Sequence, residues 1–115
     1  MSTEARTDAV PTAADEVVWL CRDLIRIDTT NTGDTNTAAG ERAAAEYVAR
    51  QLAEVGLEPR VYESSPGRTT VVARYEGADP SRPALLLHGH LDVVPADASE
   101  WTVDPFSGEE RDGYI

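Results

Sequence analysis

Leu85-Leu86-Leu87-His88-Gly89-His90-Leu91-Asp92-Val93-Val94-Pro95 sets an unbroken apolar run directly before two histidines and a carboxylate. Continuous apolarity, as opposed to alternation, is the mark of a strand buried on both faces, so residues 84–88 are expected to form an interior strand of a parallel sheet. In open α/β sheets ligands collect beyond the carboxyl ends of the strands, which is where His88, His90 and Asp92 fall. If the backbone stays extended, His90 and Asp92 project to the same side. Neutral imidazole is a good zinc ligand, and a carboxylate beside it can fix its tautomer or aim it at the metal. Under the same alternation His88 and His90 also share a side, so a His-x-His ligand pair is a rival geometry. A third reading has both histidines merely hydrogen-bonded at a strand end, and the spacing does not choose among the three. These two histidines are the only ones in the chain, and a catalytic zinc needs about three protein ligands.

Upstream, residues 1–11 are polar, charged and without period, and read as a mobile tail. Thr12 is placed to cap a helix, with Asp15 returning the bond in a weak capping box. Val17, Val18, Cys21, Leu24 and Ile25 then recur at helical spacing and form one apolar face, in which Cys21 is expected to be a buried structural thiol. The Asp-, Asn- and Thr-rich segment 28–37 should be a loop, because its side chains compete for their own backbone. A second helix is expected over residues 39–55, with Ala44, Ala45, Val48, Leu52 and Val55 inward, Glu46 and Arg50 paired outward, and Gly56 as its stop.

After Gly56 the period changes. Residues 59–63 and 69–75 read as strands around a Ser64-Ser65-Pro66-Gly67 turn, and residues 77–83 break the pattern. Two helices followed by three strands argue for an α/β fold. From Val94 on, turn residues interrupt isolated anchors at Trp101, Val103 and Phe106, giving a covering loop. Arg111-Asp112-Gly113-Tyr114 then looks like a β-turn that opens a further strand, as though the element were cut short at Ile115.

The ten basic residues are all arginine, and twenty-one acidic residues bring the formal charge to -11. That charge repels phosphate backbones and anionic lipid surfaces, which argues against nucleic acid and membrane partners. Gly33 and Gly40 do not make a phosphate loop, and no lysine exists to meet a phosphate. Nothing resembles a signal peptide or a bilayer span, so a cytoplasmic protein is expected.

Three blocks in order, residues 86–95, Trp101-Thr102-Val103-Asp104-Pro105-Phe106 and Arg111-Asp112-Gly113-Tyr114-Ile115, closely resemble the zinc-dependent family of aminoacylases, acetylornithine deacetylases, succinyl-diaminopimelate desuccinylases and glutamate carboxypeptidases. The resemblance extends to the opening helix, the Asp28-Thr29-Thr30-Asn31-Thr32 loop and the helix containing Glu41. It implies a zinc-exopeptidase-like α/β fold, of which residues 12–115 would be the N-terminal part of a mixed, mostly parallel sheet flanked by helices. It implies two zinc ions in the parent enzyme, with cobalt or manganese as substitutes. The substrate would be a small N-acyl amino acid or peptide, and a smaller domain would support a homodimer.

Residue by residue, His90 resembles the family's metal histidine and Asp92 the carboxylate that orients it. His88 falls where the family reserves no ligand, and Trp101, Asp104, Pro105 and Phe106 resemble a packing segment beneath the site. The bridging aspartate, the general-base glutamate, the remaining ligands and the distal histidine have no counterpart here. The resemblance thus leaves one direct ligand in this chain, which by itself is expected to be inactive. A non-catalytic module that binds a small ligand through the loop from Asp28 to Asn36 and the strand-end histidines is the alternative, as is a degenerate structural piece of the same fold.

Overall fold

A computed structural model describes residues 10–115; of the tail expected over residues 1–11, all but Val10 and Pro11 lie outside the described residues. Helix α1 spans Ala13–Ile25, α2 spans Arg42–Glu54, and strands β1 and β2 span Arg60–Ser65 and Arg68–Val72. A 3-10 turn covers Ala98–Glu100.

The Thr12 capping box forms. Asp15 donates its backbone N–H to Thr12 Oγ1 at 3.3 Å, and its carboxylate accepts from the Thr12 backbone N–H at 3.0 Å. This satisfies two donors that the first helical turn leaves open. Helix α2 begins at Arg42, later than its composition suggests, because Gly40 adopts a left-handed conformation with φ of 78°. That geometry brings the chain against the hairpin turn, where Glu41 donates its backbone N–H to the Gly67 carbonyl at 2.8 Å. Gly56, at φ of 86°, ends the helix as expected, and Leu57 donates back to the Leu52 carbonyl at 3.1 Å.

Strands β1 and β2 form an antiparallel hairpin, with Arg60 opposite Val72 and Ser65 opposite Arg68. Pro66 and Gly67 occupy the two turn positions; proline presets φ and Gly67 supplies the positive φ of 78°. Pairing stops at Val72 because β1 begins only at Arg60, so residues 73–75 have no partner strand. Helix α2 packs on the hairpin, mainly on β2, and buries Ala44, Ala45 and Thr69. Alanine at those helix positions permits the close approach.

The described residues make a small α/β arrangement of two helices and one two-stranded antiparallel sheet, and the mostly parallel sheet expected of the parent is not seen among them. Several local expectations are corrected. Residues 84–88 carry no regular secondary structure and are unpaired, and Leu85, Leu86 and Leu87 are 84%, 81% and 83% exposed. A buried parallel strand needs a ladder on each side, and none of the described residues pairs with this one. Helix α1 buries none of its residues, so Cys21 is exposed and not an interior thiol. The reason is the same: the apolar face is present, but the layer that would cover it is not among the described residues. Val55 lies beyond the last turn of α2 and is exposed, as is Trp101. Glu46 pairs with Arg42 at 3.3 Å, while Arg50 lies over the Tyr47 ring at 6.0 Å from its centroid.

The segment after the 3-10 turn is held to α1 by polar contacts. Arg22 Nε donates to the Gly108 carbonyl at 2.8 Å and Arg26 Nε to the Ser107 carbonyl at 3.0 Å. The final turn closes through reciprocal backbone bonds between Arg111 and Tyr114, with Asp112 and Gly113 both at positive φ. Two successive left-handed residues are the signature of a type I′ hairpin turn.

Candidate metal-ligand site

The loop at residues 28–37 and the segment at residues 91–93 meet through one parallel bridge. Thr30 lies opposite Val93, Asn31 donates its backbone N–H to the Val93 carbonyl at 2.7 Å, and Val93 donates to the Thr29 carbonyl at 3.2 Å. Thr29 is buried, and its hydroxyl donates to the Leu91 carbonyl at 2.7 Å. Inside the loop Asp28 accepts from the Thr30 backbone N–H and hydroxyl, and Asn31 Oδ1 accepts from the Gly33 N–H. These local bonds rigidify a stretch that carries no regular structure.

His90 and Asp92 are brought together. His90 Nδ1 lies 2.8 Å from the Asp92 carbonyl oxygen and 2.9 Å from Asp92 Oδ1. A carbonyl oxygen can only accept, so in neutral His90 the hydrogen-bond network assigns the ring proton to Nδ1 and leaves the Nε2 lone pair free. The imidazole is otherwise unsupported, with its side chain 84% exposed. His88 is exposed and makes no hydrogen bond among the described residues.

The second Asp92 oxygen is engaged from the other side. Asn31 Nδ2 donates to Oδ2 at 2.9 Å, and Arg68 Nη2 lies 3.7 Å from the same atom. The Asn31 amide first, and then the His90 hydrogen bond, hold the Asp92 carboxyl below its ordinary range; the charges of His90 and Arg68 add smaller contributions. Arg68 Nε in turn lies 3.3 Å from Glu41 Oε1, and the other Glu41 oxygen accepts the Thr69 backbone N–H at 3.3 Å. Asn31 falls within the loop singled out from sequence. Arg68 and the carboxylate of Glu41 had no such signal, because each joins the site through the hairpin that α2 packs on.

A cavity of 620 Å³ adjoins the site, lined by His90, Val93, Leu24, Ile25, Trp101 and Phe106 among others. It lies between the uncovered face of α1 and the segment that follows Asp92.

Among the described residues no group of three or more His, Cys, Asp or Glu side chains could hold a metal ion, and the imidazoles of His88 and His90 are the only histidine nitrogens. They do not make a complete catalytic site by themselves. No helix among the described residues is long and apolar enough to cross a membrane.

No family model matches the chain. Among curated proteins it is 34% identical over 102 residues to N-fatty-acyl-amino acid synthase/hydrolase PM20D1 of Xenopus tropicalis, covering 87% of this chain and 20% of that protein. It is 36% identical over 99 residues to aminoacylase-1 of Homo sapiens, covering 85% of this chain and 23% of the relative. With aminoacylase-1 of Sus scrofa the identity is 35% over 74 residues, 64% of this chain and 18% of that protein. The chain spans about a fifth of the length of these relatives. Together with the ordered motifs around His90, these similarities show that the chain belongs to the family of the aminoacylases and the N-fatty-acyl-amino acid synthase/hydrolases.

Proposed function

We propose that this chain is the opening part of the catalytic domain of a zinc-dependent amidohydrolase, and that His90 supplies one metal ligand there while Asp92 orients it. The observation that carries the reading is the double contact of His90 Nδ1 with Asp92, which leaves Nε2 as the ligating atom. The names of the relatives point to an N-acyl amino acid as the substrate class. A bound zinc would polarise the amide carbonyl and activate water. The described residues do not supply its remaining ligands, so in this reading they come from a longer protein and the chain alone is inactive. The same larger protein would supply the strands that pair with residues 84–88 in a mostly parallel sheet and cover the apolar face of α1.

Zinc titration of a longer protein that carries the remaining ligands, followed through the imidazole nitrogen resonances, tests the ligand assignment. His90 Nε2 should respond, His88 should not, and His90→Ala should abolish the response. A response confined to His88 would overturn the assignment. Hydrolysis of N-acetyl or N-fatty-acyl amino acids by the 115-residue chain itself would overturn the view that it is inactive alone.

A further inference from the structure

We infer that Arg68 and Glu41, together with Asn31, are positioning residues that set the tautomer and direction of the His90 ring from the far side of Asp92. The inference rests on the reading above only for the use made of Nε2; the network itself is geometric. His90 is too exposed for packing to orient its ring, so hydrogen bonds must do it. Both bonds go to Asp92. Its Oδ1 can face His90 steadily only if Oδ2 is held, and Asn31 Nδ2 and the Arg68 guanidinium are the groups beside Oδ2.

Arg68 is itself held. Its Nε edge faces Glu41 while Nη2 reaches Asp92, so one planar guanidinium spans two carboxylates that cannot repel each other freely with it in place. Glu41 is 5% exposed and stands at the N-cap of α2, yet its side chain makes no capping bond. Its carboxylate is turned instead to Arg68 and to the Thr69 backbone N–H. A buried carboxylate needs such partners, and removing the cation would leave it exposed to the cost of burial without compensation. The packing of α2 on the hairpin is thereby transmitted to the imidazole through Glu41, Arg68 and Asp92 in turn.

The test reads the tautomer of neutral histidine by long-range proton–nitrogen spectra of the labelled 115-residue chain at about pH 9, where imidazoles are uncharged. In the wild-type chain His90 should be enriched in the Nδ1–H form relative to His88, the internal control. Arg68→Met and Asn31→Asp should each move the His90 ratio toward the Nε2–H form by about two- to tenfold, the factor corresponding to the net worth of one hydrogen bond. Asn31→Asp keeps the Oδ1 acceptor for the Gly33 N–H, so the loop turn survives while the donor to Asp92 is lost. If Arg68→Met does not fold, Asn31→Asp and Glu41→Gln decide. A His90 ratio equal to that of His88 in the wild type, or unchanged in the folded variants, overturns the inference. Because no metal is used, a shifted tautomer without a zinc response at His90 in the longer protein would retain the positioning network and reject the ligand assignment, and the opposite pair of results would do the reverse.

Discussion

Asn31 Nδ2 donates to Asp92 Oδ2 at 2.9 Å across 61 residues of sequence, and this single amide contact ties the loop after α1 to the carboxylate that faces His90. Asp92→Asn keeps the shape but replaces one acceptor oxygen with an amino group, so it cannot accept from Asn31 and His90 together. In a protein carrying the whole ligand set, zinc affinity should fall by roughly ten- to a hundredfold. Competition with a metal chelator measures it, and unchanged affinity would remove Asp92 from the orienting role.

Gly40 and Gly56 separate the cost of a left-handed backbone from that of a steric clash. Both have positive φ, but a Cβ on Gly40 would lie 2.9 Å from the Gly67 carbonyl oxygen, whereas one on Gly56 meets nothing within 4 Å. Gly56→Ala should cost about 1 kcal/mol. Gly40→Ala should cost about 2–4 kcal/mol, because the Gly67 carbonyl it displaces is also the acceptor for Glu41. Urea unfolding of the two variants gives the comparison, and equal midpoints would refute it.

Tyr47 should ionise well above the ordinary tyrosine range. Burial first, and then the hydrogen bond to Asp23 at 2.7 Å, push its phenol up to about 12. The folded value lies above the unfolded one, so the neutral phenol favours the folded state below the ordinary tyrosine range. That stability is lost as pH rises from about 10 through about 12. Ultraviolet titration of the wild type against Tyr47→Phe should remove a step at about 12; loss of a step in the ordinary tyrosine range instead would contradict the contact.

The start of α1 should weaken in acid. The Thr12 side chain first, and then its backbone, hold the Asp15 carboxyl below its ordinary value of 3.8. A lowered folded value means the contribution is complete above 3.8 and disappears as pH falls through the folded value. Protection of the Asp15 and Glu16 amides, which donate to the Thr12 carbonyl, should therefore fall in that window once exchange is corrected for its intrinsic pH dependence. Thr12→Ala, which typically costs about 0.5–2 kcal/mol at a helix N-cap, should lower that protection already at neutral pH. Equal protection on both sides of the window in the wild type would show that the capping box is not formed in solution.

Elements that depend on near neighbours were legible from sequence: the Thr12 box, the Gly56 stop, the Pro66-Gly67 hairpin and the Asp112-Gly113 turn all form with the residues expected of them. Their hydrogen bonds join residues a few positions apart, so composition and spacing carry the information. The leucine run misled for the complementary reason. Apolarity at residues 85–87 states that a segment should be buried, but burial needs ladder partners and covering layers that lie elsewhere. The outward partner of Glu46 was also misread, since Arg42 and Arg50 are both within helical reach and only the fold chooses between them.

By itself the sequence determined where α1 begins and α2 ends, where the chain turns and which motif sets His90 beside Asp92. The tertiary structure alone decided that Asn31 and Arg68 hold the far side of that carboxylate and that Glu41 turns from its helix to hold Arg68. The physical reason is range: local bonds follow from the order of residues, whereas these contacts exist only once α2 has packed on the hairpin and the loop has paired with Val93.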